Sequence, residues 1–129
     1  MLIPEPRRED INDALEMTIE SYYEHVKRMS SIQNYELEYI GYLHVNELEE
    51  FADLSSWMEE IEDKEDMINF RGKEWFNRMT KFEKLDKIPP ILVIEGDDFV
   101  DIGDGRGRVT YANYRNIPIH VWKIILISE

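Results

Sequence analysis

With 129 residues, 43% hydrophobic and 12% aromatic, the chain can bury one core unaided and is too short for a second independent domain. It has no cysteine, which excludes a disulfide framework, a thiolate zinc site and a thiol nucleophile. A formal net charge of −13 argues against direct DNA binding, because releasing counterions from a phosphate backbone requires a basic surface.

The acidity is concentrated: residues 36–66 carry twelve acids and one base. The opening MLIPEPRREDI lacks the positive start and unbroken apolar run of a signal peptide. The longest apolar run, Ile124 to Ile127, suits a buried strand and not a bilayer. The expectation is a cytoplasmic protein without membrane contact.

In chain order, Ile11, Leu15, Ile19, Tyr22, Val26 and Met29 recur at steps of three and four, which predicts an amphipathic helix over Glu9–Met29. Acids open it, Lys27 and Arg28 close it, and a polar connector follows. Glu38–Val45, EYIGYLHV, reads as a strand. Asn46 is then placed to cap a brief helix over Glu47–Leu54. Ser55 or Ser56 would cap a second, acidic helix running to about Asp63. Trp75, Phe76, Met79 and Phe82 share one side of a helix over Lys73–Leu85, stopped by Pro89-Pro90. Ile91–Ile94 is a buried strand that returns through a turn at Gly96-Asp97-Asp98 into Phe99–Ile102. A short helix over Arg108–Tyr114 and a long apolar strand over Ile117–Ile127 complete an α/β (α+β) domain with a mixed sheet. The division is an N-terminal helical extension, residues 1–35, and a domain over residues 36–129.

Between the third strand and the short helix after it lies DIGDGRGRV, residues 101–109, with three glycines and two arginines. A glycine approach to a helix start lets an anion reach unpaired N–H groups at the positive end of the helix dipole. Arginine adds fork-shaped donors suited to phosphate. Gly103, Asp104, Gly105, Arg106, Gly107 and Arg108 are therefore the candidate phosphate-binding residues, with Arg108 as principal side-chain contact. The spacing is neither GxGxxG nor a P-loop. A plainer alternative stays open, in which the glycines make a tight turn and the arginines pair with Asp98, Asp101 or Asp104.

His25, His44 and His120 are scattered and have no metal-ligand spacing, so no metal site is assigned. The run Asp97, Asp98, Asp101, Asp104 does not match an EF-hand, and turn chemistry explains it better.

The stretch from Ile88, IPPILVIEGDDFVDIGDGRGRVTYANYRNIPIHVW, resembles the ParB/sulfiredoxin superfamily in its order of prolines, strand, turn, strand, glycine-rich box ending in Arg, small-residue helix and Ile-Pro strand. YIGYLHVNEL, Tyr39–Leu48, is similar to that family's opening strand and short helix. The resemblance covers about residues 36–127 and implies that a nucleoside triphosphate, CTP or ATP with Mg, sets its phosphates at the helix start. Gly105 and Arg108 match the first and last positions of the box. Gly107 stands where the family usually has His or Arg, and Arg106 where sulfiredoxins have cysteine, so sulfiredoxin activity is excluded. No catalytic residue is assigned.

A different class of function rests on the acidic stretch. Glu59, Glu60, Glu62 and Asp63 would form a partner-binding face for a basic protein, in the manner of the nucleic-acid mimics encoded by phages and mobile elements. The bland counterpart is a solvated face that keeps the protein soluble.

Overall fold

The computed structural model describes residues 3–21, 35–52, 54, 58–96 and 100–127. Helix α1 spans Arg8–Ser21, with Glu9 and Asp10 in its first turn where the dipole favours acids. Strand β1 is Tyr35–Leu43 and helix α2 is a single turn, Val45–Leu48. Helices α3, Lys64–Arg71, and α4, Lys73–Lys84, are separated only by Gly72. Strands β2, Ile91–Glu95, and β3, Val100–Asp104, lead into helix α5, Arg106–Arg115, and strand β4, Ile119–Leu126.

The four strands form one mixed sheet in the order β1-β4-β2-β3. β2 and β4 run parallel, joined through β3 and α5, and the outer pairs are antiparallel. Lying inside, β2 is buried on both faces, which is why Ile91 to Ile94 is apolar without alternation. Its side chains divide by parity. Ile91 and Val93 join Val45, Leu48, Val109 and Ala112 under α2 and α5. Leu92 and Ile94 join Ile124 and Leu126 on the opposite face, covered by Ile11 and Ala14 of α1. A third cluster, Met67, Phe76, Met79 and Tyr111, joins α3 and α4 to α5. The result is a small α+β domain whose two sheet faces are both helix-covered.

Several boundaries differ from expectation, each for a local reason. β1 begins at Tyr35 and releases Val45, which turns inward as the first residue of α2. Asn46 does not cap that helix. His44 precedes it, and the Glu47 carboxylate accepts from the His44 N–H at 3.1 Å. The expected acidic helix ending at Asp63 is absent over 58–62, where the chain is irregular. Asp63 instead opens α3, accepting from the Asp66 N–H at 2.9 Å. α4 ends before the two prolines, at a turn where Asp86 takes φ 53°. α5 starts two residues earlier than expected, so Arg106 and Gly107 belong to its first turn. The helix expected to continue over Tyr22–Met29, the polar connector after it, the caps at Ser55 or Ser56 and the Asp97-Asp98 turn lie outside the described residues. Among the described residues no helix is long and apolar enough to cross a membrane.

Candidate anion-binding site

The glycine-rich run is the hinge between β3 and α5, and each glycine has its own steric cause. Gly103 is buried beneath α1, where an added Cβ would stand 2.9 Å from the Ala14 Cβ. Gly105 precedes α5 with φ 103°, and a Cβ there would lie 2.6 Å from Ile91 Cγ2. Gly107 lies under a side chain from another helix. Its Cβ would meet the Arg71 guanidinium, 2.9 Å from Nε and 3.1 Å from Cζ.

Because Gly105 has no side chain, nothing on it caps α5. The first helical N–H groups have no carbonyl four residues back, so the turn presents donors and positive dipole. The first ladder bond runs from Val109 N–H to Gly105 O at 2.9 Å.

The two arginines of the run are held internally. Arg106 Nη2 lies 3.3 Å from Asp101 Oδ2. Arg108 donates through Nη2 to Asp104 Oδ2 at 2.7 Å and through Nη1 to the Pro90 carbonyl at 2.9 Å. Its side chain is only 13% exposed, against 37% for Arg106, which makes Arg108 a brace between the β2 entry and the α5 start. Burial raises the Asp104 carboxyl above its ordinary value; the Arg108 charge opposes that rise and Asp10 adds to it.

In front of this turn opens a cavity of about 570 Å³. Its walls are the segment leading into α1, the end of α3, one face of α4 and the Pro89-Pro90 stop. Five of the chain's eight arginines line it: Arg7, Arg71, Arg78, Arg106 and Arg108. The acids there are Glu5, Asp10 and Asp104. Arg7 grips the buried Asp10 through two bonds of 3.1 Å, which raises the guanidinium further. Pro4 is fixed by Trp122, whose indole N–H donates to its carbonyl at 2.9 Å. Trp75, Met79 and Phe82 give the cavity an apolar side.

The structure thus gathers all of Asp104 to Arg108 at the cavity, with Gly103 buried just behind it. The sequence does not mark Arg7, Arg71 or Arg78 as site residues, and it gives Trp75 only a place on the apolar side of a helix. Arg71, Trp75 and Arg78 follow helical steps of four and three, the one signal that pointed to a shared face. Gly72 interrupts that pattern.

The remaining candidates lie elsewhere. Glu59, Glu60 and Glu62 are exposed, and Asp63 is engaged as the α3 cap. His120 is buried, its Nδ1 2.8 Å from the Tyr39 hydroxyl and its ring stacked on Tyr42 at 4.3 Å. Burial lowers its pKa below the ordinary value. A smaller cavity of about 230 Å³ adjoins it, between Tyr42, Asp86 and Ile117. Among the described residues no group of three or more His, Cys, Asp or Glu could hold a metal ion. Compared with known proteins, the chain matches no family model, no curated protein and no solved structure.

Proposed function

We propose that the chain is a nucleotide-binding domain of the ParB/sulfiredoxin-like type, with phosphates received at the start of α5 by the Gly103–Arg108 run. The observation that carries this reading is the concentration of five of eight arginines around one cavity in a chain of net charge −13. Guanidinium forks match phosphate oxygens, and an uncapped helix start adds amide donors to the same place. A volume of about 570 Å³ falls within the roughly 300–1,000 Å³ common for small-molecule sites. The apolar side at Trp75 and Phe82 suits a base.

CTP or ATP is the ligand class the resemblance implies. Magnesium fits here as a companion of the phosphates and not as an ion held by the protein, since Asp101 and Asp104 already face Arg106 and Arg108. The reading is one of binding, with no general base or nucleophile assigned.

Titration calorimetry of the folded protein with CTP, ATP and GTP, with and without magnesium, tests it. Saturable heat that weakens as salt is raised supports the site. No heat with any of the three overturns it. The second reading, an acidic partner-binding protein, is supported by the exposure of Glu59, Glu60 and Glu62. Reversing these three to Lys should abolish capture of a basic partner, and unchanged capture would remove that reading.

A further inference from the structure

The five cavity arginines are not equivalent. Arg7 is held by Asp10, Arg106 faces Asp101, and Arg108 is locked to Asp104. Arg71 and Arg78 make no ion pair with any described residue. The positive charge that the fold leaves uncompensated in this cavity therefore comes from α3 and α4, and not from the glycine-rich run.

Arg71 is the better placed of the two. Its guanidinium lies over the rings of Phe70 and Trp75, with centroids 5.1 Å and 5.9 Å away. These cation–π contacts engage the guanidinium without occupying its N–H donors. The same guanidinium rests against the first turn of α5, in the space that a Cβ on Gly107 would enter. The Arg71 fork and the first turn of α5, at the positive end of its dipole, thus face the same part of the cavity wall.

We infer that Arg71 is the principal anion-contacting side chain of the cavity, that Gly107 is glycine because it admits that guanidinium, and that Arg78 takes a second phosphate of the same ligand. The inference rests on the nucleotide reading above and narrows it to nucleoside diphosphates and triphosphates over monophosphates. Two cations without internal carboxylate partners, one from α3 and one from α4, offer donors to more than one phosphate group.

Two variants test this from opposite sides. Arg71→Gln removes the one cavity-lining charge that α3 supplies. Gly107→Ala leaves Arg71 in the sequence but puts a methyl group where its guanidinium lies. The atoms it meets are the far end of a flexible side chain, so the guanidinium yields and the backbone does not. Alanine also favours a helix over glycine, so this variant should unfold no earlier than the parent.

The experiment is calorimetric titration of the full chain and both variants with the mono-, di- and triphosphates of cytidine and adenosine and with pyrophosphate, beside thermal unfolding. The parent is expected to bind triphosphates and diphosphates more tightly than monophosphates. Both variants should lose about tenfold or more of that affinity, the scale of a charge-assisted hydrogen bond. If the parent binds and both variants stay within about twofold, Arg71 is not the contact, although the nucleotide reading stands. Equal affinity for mono- and triphosphates would overturn the assignment of Arg78. A parent that binds no nucleotide removes the reading and the inference together.

Discussion

Arg108 reaches back to Asp104, Nη2 to Oδ2 at 2.7 Å, and so closes the hinge between β3 and α5 with a side-chain bond. Its other terminal nitrogen holds the Pro90 carbonyl at the entry to β2. A guanidinium with two internal partners and little exposure is a brace first. Arg108→Ala is therefore expected to cost about 1–3 kcal/mol of stability, since it leaves a partly buried carboxylate and a carbonyl without their donor. Urea denaturation measures it. Unchanged stability with nucleotide binding lost would return Arg108 to the role of ligand contact.

Gly105 is fixed by backbone and packing together. At φ 103° an L side chain is strained, and its Cβ would lie 2.6 Å from Ile91 Cγ2 in the sheet core. Gly105→Ala should lower stability by roughly 2 kcal/mol or more. Thermal unfolding decides this, and a variant as stable as the parent would contradict the left-handed conformation. A consequence is that loss of binding in a larger Gly105 variant cannot be separated from loss of fold, whereas Gly107→Ala can.

The contrast between these glycines shows what the sequence made legible. The strand, glycine run and helix around DIGDGRGRV follow from local chemistry, and Val109 and Ala112, three apart on one helix face, are fully buried; Tyr111, on another side of the helix, is buried as well by its packing against α3 and α4. The α+β class also follows, because the apolar run of β2 and the three- and four-residue steps of the helices are local signals. The site's other wall does not. α3 has a single buried residue, Met67, and too short an apolar pattern to announce a helix. Its start depends on Asp63 turning a carboxylate toward the Asp66 N–H, a cap hidden in a run of acids. That Arg71 would reach Gly107 is a tertiary fact with no local trace.

Acid sensitivity has an identifiable contributor at the α4–α5 contact. Glu83 accepts from the buried Tyr111 hydroxyl at 2.6 Å and from Arg115 Nε and Nη2 at 2.9 and 3.1 Å. The Arg115 bonds hold the Glu83 carboxyl below its ordinary value of 4.5, against the opposing effect of burial. A depressed carboxyl contributes stability that is present above about 4.5 and is lost as pH falls through its lower folded value. Glu83→Gln should therefore flatten the fall in stability below that pH, seen in unfolding midpoints measured across the acid range. An equally steep fall in the variant would assign acid sensitivity to other carboxylates.

The same contact makes Tyr111 slow to ionise. Burial, reinforced by the Glu83 carboxylate, pushes its phenol up to about 12. In an alkaline absorbance titration one phenol should ionise well after the exposed ones, and that late step should vanish in Tyr111→Phe. The substitution should cost about 1 kcal/mol, because Glu83 keeps its Arg115 bonds. A late step that survives in the variant would assign it to another tyrosine.

Seating of α1 on the sheet turns on Ala14 and Gly103. A Cβ on Gly103 would stand 2.9 Å from the Ala14 Cβ and 3.3 Å from Ile94 Cγ2, so helix and strand touch nearly backbone to backbone. Gly103→Ala should push the helix outward at about 1–3 kcal/mol, the ordinary cost of overpacking. Ala14→Gly alone should cost about 1 kcal/mol through helix propensity. Combined, the two should cost less than their sum, because the glycine at 14 gives back the space that the alanine at 103 takes. A double-mutant cycle by denaturant unfolding measures that coupling, and strict additivity would show that the two residues do not meet. The effect should reach the cavity as well, since Arg7 and Asp10 at the start of α1 form part of its wall. In Gly103→Ala the displaced helix should therefore weaken nucleotide binding without touching any residue of α3 or α4.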